Sequence, residues 1–448
     1  MRCSLARWVA VFAVAAGAMC PASSSAQTKL SLSDVEISEA SYYDQAGNDP
    51  QLEMSPSDYQ SPAISADNGC GCCQSSCDVC CVPRNWASGD YLLWWTKGNP
   101  LPPMITSSTA GTAQINAGVL GLPTTTTLFG GTDVDDGVRS GMRFTLGHWA
   151  DPEGTVGIQG TYFGVFDDTD SGDFTAQTGG VIGAGVGAPI LARPFFNVDP
   201  LNTGNDSRLI SFPGIVDGVT SITSSSEMHS ASVLVRQHWR SGNRGRIDLL
   251  GGYRYFRLRD GFLVREGLVS TDPLGALPIG TTFAIEDRFL AENDFHGGDL
   301  GFVAEFWDQG WSLEILAKVA LGNLQRNVSV SGVTVVDVPP AGGGVATNGG
   351  LFAQPTNSGN RTANDFAALP EFGVNLRFDP RRNVSVQIGY TLLMLTDVTR
   401  SGELIDTTIN GTQLAGGALV GAARPANLSG NTTDFWAQGL NFGVTFSR

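Results

Sequence analysis

The sequence predicts an all-β chain: a transmembrane antiparallel β-barrel of about ten strands, within a range of eight to twelve, carrying long external loops. Three observations point there. Apolar residues alternate with polar ones at period two through the C-terminal four fifths of the chain. Tight turns and long polar stretches take turns as connections, and tryptophans gather at the ends of the alternating segments.

The chain opens with MRCSLARWVAVFAVAAGAMCPASSSAQ, in which Arg2 and Arg7 precede an apolar run from Trp8 to Met19 and a small-residue site at Ser24-Ser25-Ala26. This is the pattern of a secretory signal peptide over residues 1–26, cleaved after Ala26. A lipid-anchored Cys20 is the competing reading, and Met19 is larger than the residue such a site requires. Nothing later approaches 18 consecutive apolar residues, so no transmembrane helix is expected. Residues 27–85 scatter Ser, Asp, Pro and Gly without a period and read as a mostly disordered periplasmic tail.

From Trp86 the pattern changes, and the barrel is expected over 86–448. GWSLEILAKVALGN places Trp311, Leu313, Ile315, Ala317, Val319 and Leu321 on one parity against Ser312, Glu314 and Lys318, with Leu316 the exception. ALPEFGVNLRF sets Phe372, Val374, Leu376 and Phe378 against Glu371, Gly373, Asn375 and Arg377. NVSVQIGYTLLM and GLNFGVTF repeat the pattern with Val384 to Leu392 and with Leu440 to Phe446. Such segments make strands with one apolar and one polar face.

Tight turns are expected at Ala150 to Glu153, Ser241 to Arg244, Asp308 to Gly310 and Asp379 to Arg382. Long Gly, Thr, Ser and Asp-rich stretches lie at 98–138, 167–227, 259–297, 324–366 and 397–434. With an opening strand at 86–97 and a closing one at 436–446, this alternation gives ten strands, periplasmic turns and both ends of the barrel on the periplasmic side. Trp86, Trp149, Trp239, Trp307 and Trp311 fall toward the turn end, and Trp94, Trp95 and Trp436 toward the loop end, as two interfacial girdles. A soluble β-sandwich is the alternative, but it does not require tryptophans to sort by strand end.

Several segments also resemble a known family: YLLWWTKGNPLPPMIT (91–106), RSGMRFTLGHW (139–149), GYRYFRLRD (252–260), NDFHGGDLG (293–301), WSLEILAKVALGN (311–323), LPEFGVNLRFDP (369–380), QIGYTLLMLTDVTRSGELID (387–406) and DFWAQGLNFGVTF (434–446). In order and spacing they resemble the planctomycete beta-barrel porin-like outer-membrane proteins. The resemblance implies an outer-membrane barrel and carries over no catalytic residues. One departure concerns the end of the chain, where Ser447 and Arg448 follow the aromatic Phe446.

If the apolar parity faces lipid, the lumen receives Arg143, Gln159, Arg236, Asp248, Arg254, Glu305, Glu314, Lys318, Glu371, Arg377 and Gln387. Charges of both signs in a closed interior should pair across it, because an unpaired buried charge is costly. About eight strands leave room only for side chains and water channels open by about sixteen, so ten strands predict a narrow, largely plugged lumen. A selectivity filter is the competing role for these charges.

Other features are weaker. Asp133, Asp135 and Gly137, and again Asp168, Asp170 and Gly172, are candidate Ca²⁺ loops without the distal Glu of a complete site, and no other metal site is expected. His296, between Asp294 and Asp299 where a loop is expected to re-enter the barrel, is the best acid–base candidate, with His229 on the same side. Neither comes with a serine elbow, so no catalytic residue is assigned. GAGVGA (183–188) lacks the following helix of a phosphate loop and reads as loop.

NGCGCCQSSCDVCC places Cys70, Cys72, Cys73, Cys77, Cys80 and Cys81 just before the barrel. In an exported chain disulfides are expected over thiolate-held zinc or iron–sulfur, within a compact knot or as crosslinks to other envelope proteins; six cysteines allow 15 pairings. A net charge of −16, from 27 Lys plus Arg against 43 Asp plus Glu, argues against partners bound through a general basic field, nucleic acid among them. The expectation is therefore a non-enzymatic outer-membrane barrel, structural and surface-interactive or a narrow solute pore, without a cofactor. Its partners are outer-membrane lipid and the barrel-assembly machinery. The alternative is an outer-membrane enzyme at the external rim.

Overall fold

The computed structural model describes residues 83–175, 190–340, 342–381, 383–414, 419–426 and 431–448, except the side chains of 167–170 and 175. The signal segment, the tail to residue 82, all six clustered cysteines and GAGVGA lie outside the described residues.

Ten strands form the barrel: β1 (Asn85–Thr96), β2 (Val138–Trp149), β3 (Val156–Thr175), β4 (Val216–Gly242), β5 (Gly245–Ser270), β6 (Thr282–Asp308), β7 (Trp311–Asp337), β8 (Gly359–Arg381), β9 (Val384–Val398) and β10 (Thr433–Ser447). Each pairs antiparallel with its neighbour in the chain, and β10 pairs with β1 through eleven residues from Trp86–Ser447 to Thr96–Ala437, which closes the ring. Closure leaves no strand edge unpaired in lipid. The turns fall where the sequence placed them. Gln309 and Gly310, both with positive φ (49° and 85°), make the two-residue β6–β7 hairpin, as the twist of paired strands demands.

Three expected long loops are corrected: 167–227 yields residues 167–175 to β3 and 216–227 to β4, and two others change further. The stretches 259–297 and 324–366 are largely strand, because β5 runs to Ser270, β6 starts at Thr282, β7 runs to Asp337 and β8 starts at Gly359. Spanning a membrane takes about 9–11 tilted residues, so strands of 26 and 27 residues extend well beyond it. The barrel is thus lopsided, with a tall wall of β4 to β8 and a short wall of β9, β10, β1 and β2.

The period-two pattern continues up the tall wall while its chemistry inverts. Toward the turns the outward residues are apolar, as with Val233, Leu249, Leu300 and Phe302. Farther up, the outward positions of β5 and β6 carry Arg257, Arg259, Arg265, Glu286, Arg288 and Glu292, joined in ion pairs such as Arg259–Glu292 at 3.0 Å and Arg265–Glu286 at 2.9 Å. There the inward positions are apolar: Phe262, Val264, Ile285 and Phe289 are buried. The lower wall is built for lipid outside, and the upper wall for water outside and a protein core within.

That upper core is completed by the loops. Strands Ile105–Ser108, Thr125–Phe129, Ile190–Asn197, Gly204–Ser211 and Thr408–Ile409 form a second, smaller sheet. Their Ile105, Leu191, Phe195 and Ile210, with Met104 just before the first strand, pack in one cluster with the tall wall's Phe262 and Phe289.

Candidate functional site

The lumen is the candidate site, and three layers fill it from the turn end upward. The lowest is polar. Asp248 of β5 receives Arg236 Nε at 2.6 Å, Arg246 Nε at 2.7 Å and His238 Nδ1 at 3.0 Å. Arg377 of β8 pairs with Glu314 at 2.5 Å and Glu305 at 3.3 Å, and its Nε donates to Gln387. Higher up, Arg254 meets Glu371 at 2.5 Å, while Lys318 lies 3.2 Å from Asp299 and 3.3 Å from Glu371. Arg236, Asp248, Arg254, Glu305, Glu314, Lys318 and Arg377 all therefore face partners of opposite sign, some on the adjacent strand, as Arg236 and Asp248, and others on a more distant one, as Arg254 with Glu371 and Arg377 with Glu305. The cavity among them holds about 300 Å³ and is walled on one side by Trp86 and Trp149. Leu316, the exception in its strand's alternation, faces this cavity and packs on Leu234, Leu250 and Val303.

The second layer is an apolar septum. Leu92 and Trp94 of β1, Phe163 and Val165 of β3, Met228 of β4, Phe256 and Leu258 of β5, Phe295 of β6, Ala320 and Leu324 of β7, Ala367 and Leu369 of β8, Leu393, Leu395 and Val398 of β9, and Phe435 and Ala437 of β10 form one cluster, none more than 2% exposed. The Trp94 and Phe163 rings sit 5.3 Å apart, and Phe163 and Phe256 6.4 Å apart. β2 supplies Arg143, whose guanidinium lies beneath the septum, 5.4 Å from the Trp94 ring and 5.6 Å from that of Phe163. Trp94 Nε1 donates to Asn441 Oδ1 at 2.9 Å, and Asn441 Nδ2 to Thr391 Oγ1 at 2.7 Å, so the septum's one polar group is satisfied.

The third layer pins the loops. Arg400, 1% exposed, pairs with Asp260, donates to the carbonyls of Lys97 and Gly98, and lies over Phe435. Asn293 holds both the N–H and the carbonyl of Thr399, at 2.8 and 2.9 Å. Above them Arg193, fully buried, meets Glu266 at 2.5 Å, Asp287 at 2.8 Å and the Phe352 ring at 4.5 Å. Burial pulls its pKa down, but Asp287 and Glu266 outweigh that, leaving the guanidinium above its ordinary value.

Three tryptophans depart from the expected girdles. Trp94 is buried in the septum, Trp149 is 5% exposed with Arg246 4.4 Å over its ring, and Trp86 packs on Trp149 inside the lumen. Their positions share the inward parity of Ser88 and Asp90 or of Arg143 and Thr145, so the polar face, not the interface, claims them. Trp95, Trp239, Trp307 and Trp311 remain exposed.

The expected His296 constellation does not assemble. Residue 296 lies in the middle of β6 rather than where a loop re-enters, and Asp299, at odd spacing from it, points to the opposite side of the wall. Outside, Tyr253 Oη lies 2.5 Å from His296 Nδ1, and Tyr255 Oη donates to Asp294 Oδ1 at 2.7 Å. His229 is likewise outward, stacked on Tyr162 with its Nδ1 3.0 Å from the phenol oxygen. These pairs sit where the outer surface passes from apolar to charged, the place aromatic groups with a polar edge prefer.

Of the candidate Ca²⁺ ligands, Asp133 is exposed and Asp135 is buried with Oδ2 accepting Ser224 Oγ at 2.6 Å. Asp168 and Asp170 fall within β3, paired with Ser226 and Ser224, rather than in a loop. No group of three or more His, Cys, Asp or Glu suited to a metal occurs among the described residues.

The family comparison covers the whole barrel: the model for beta barrel porin-7 (BBP7) matches residues 86–447. The chain belongs to this beta-barrel porin family. It is thereby an outer-membrane, porin-like barrel, and the BBP7 match begins within β1 and ends with β10. No curated protein matches the chain. Among solved structures it is similar to the outer membrane protease OmpT from Escherichia coli, at 9% identity and a TM-score of 0.33, over 82% of this chain and 97% of that one. A Pseudomonas aeruginosa FadL homologue is similar at 8% identity and a TM-score of 0.20, over 82% and 90%. The outer membrane channel DcaP of Acinetobacter baumannii follows at 8% identity and a TM-score of 0.16, over 82% and 96%.

Sequence reasoning missed Asp299, Arg246, His238 and Asp90 as lumen groups, and missed the septum altogether. Asp299 was legible: it shares its parity with Glu305. The septum was not, since its residues come from nine strands spread along the whole barrel and meet only across the lumen.

Proposed function

We propose that this BBP7 barrel is a sealed outer-membrane scaffold, structural and surface-interactive, that holds a folded external layer outside the membrane rather than conducting solutes. The septum carries this reading: a continuous apolar layer separates the polar cavity below from the loops above, so an ion would have to leave water and cross packed aromatic and aliphatic side chains. The charges beneath it favour the same view, because they neutralise one another in pairs where a filter needs a ring of one sign. The enzymatic alternative loses its best candidate with His296 outside the wall and Asp299 inside it.

The rest of the proposal concerns delivery and partners. Residues 1–26 act as a cleaved signal peptide, the assembly machinery inserts the barrel into outer-membrane lipid, and Cys70 to Cys81 form disulfides in the tail or to neighbouring envelope proteins. Non-reducing gels test the last point, since a monomer unchanged by reductant would remove the crosslinks.

Planar-bilayer recording is the decisive test. The purified barrel, confirmed as folded by a gel shift on boiling, should give no conductance steps. The variant Trp94→Ala/Phe163→Ala/Phe256→Ala, passing the same folding check, should give them. Ohmic steps from the unaltered protein would sink the proposal.

A further inference from the structure

The outer wall is hollowed on its short side. Across β8, β9, β10, β1 and β2 the lipid-facing surface holds a groove of about 850 Å³ lined by Tyr91, Phe144, Phe378, Val386, Ile388 and Phe442. Pairing puts these side chains next to one another: Phe442 lies opposite Tyr91 on one flank and Ile388 on the other, and Val386 lies opposite Phe378. Gly89, at an outward position of β1, lines the groove and brings no side chain to fill it. On the inner face Gly389 and Gly443 lie close against lumen side chains, where a Cβ on either would collide with Asn375 Oδ1 or Asp90 Oδ1.

A hollow this size cannot stay empty in a bilayer, because its lining would forfeit dispersion contacts. Its lower rim is basic. Arg84, Arg381 and Arg448 are exposed at adjacent strand ends, where Asn85 and Arg448 exchange backbone hydrogen bonds at 2.8 Å and Ser447 N donates to Asn383 O at 3.1 Å. Exposed Asp379 and the α-carboxylate of Arg448 offset part of this charge and leave a cationic excess. A cationic rim on a chain of net charge −16 is a local exception to the general field.

We propose that the groove seats the acyl chains of an anionic phospholipid from the leaflet at the turn end, with its phosphate at Arg381 and Arg448. The apolar groove fits the chains, and the guanidinium groups, at strand ends on its turn side, fit the phosphate. The inference rests on the barrel's being embedded in lipid and not on whether its lumen conducts.

The test is native mass spectrometry of the full barrel released from bilayers of phosphatidylglycerol and phosphatidylcholine in equal parts. The unaltered protein should retain phosphatidylglycerol about tenfold over phosphatidylcholine. Arg381→Glu/Arg448→Glu should lose that preference. Gly89→Leu, whose first carbon would meet only Phe144 ring carbons at 3.8 Å, should fill the groove and lose both lipids. Each variant must still shift on boiling; Ile388→Trp serves where Gly89→Leu does not. Equal retention by all forms would overturn the proposal. So would a dimer that the groove-filling variant dissociates, which would make a second copy the occupant.

Discussion

Asp287 shows how much one side chain holds at the loop end. Its carboxylate accepts Arg193 Nη1 at 2.8 Å and the backbone N–H groups of Leu351, Phe352 and Ala353 at 3.2, 3.3 and 2.9 Å. Removing it leaves a buried guanidinium with one carboxylate and strands three amides. Asp287→Ala should therefore cost about 3–5 kcal/mol in denaturant unfolding, and a loss within about 0.5 kcal/mol, the range of an unimportant surface change, would refute its role. At the other end, Asp151 accepts Thr155 Oγ1 at 2.6 Å and the N–H groups of Thr155 and Val156, and these bonds hold its pKa at about 2, below the ordinary 3.8. Because the folded value is depressed, its contribution is complete above the ordinary range and is lost as pH falls through 3.8 toward 2. A carboxyl titration of Asp151 should show a midpoint near 2, and one at 3.8 would mean the β2–β3 turn is not capped this way.

Among the elements, the tall wall of β4 to β8 is the departure from a simple barrel. Its strands keep period two from end to end, yet what faces outward changes from Leu249 and Leu300 to Arg259 and Arg288 along the same strands. Cysteine scanning separates the zones. Arg259→Cys and Arg265→Cys should react in intact cells with a membrane-impermeant maleimide, while Val233→Cys and Leu300→Cys should not; equal labelling of both sets would deny that the wall rises out of the lipid. The stretches 259–297 and 324–366 read as loops because their Gly, Ser and charged residues resemble turn composition. Charged residues on a strand above the membrane are ordinary, since water rather than lipid lies outside. That same misreading made His296 look like a rim residue, when within a strand its odd spacing from Asp299 already separates the two.

For the whole molecule, the barrel is filled as a soluble protein is filled, by an apolar septum and an apolar loop-end core with buried ion pairs between and below. Burial on that scale should make the barrel cooperative and resistant. A folded band migrating apart from the boiled one is expected, together with the absence of conductance argued above. Trp94→Ala by itself should destabilise by about 3–5 kcal/mol, the cost of a large core truncation. A variant that conducts without losing stability would show the septum to be a gate rather than a core.

By itself the sequence determined the all-β class, the alternation, the four tight turns and the inward parity that gathers Arg236, Asp248, Glu314, Lys318 and Arg377, because these follow from neighbours along one strand. Which inward residues meet was decided only by the tertiary structure. Trp94, Phe163, Phe256, Leu369 and Phe435 are far apart in the chain, and strand register brings them to one height. Alternation states that a strand has two faces; the depth at which each stands, in lipid, in water or against the opposite wall, fixes what those faces do.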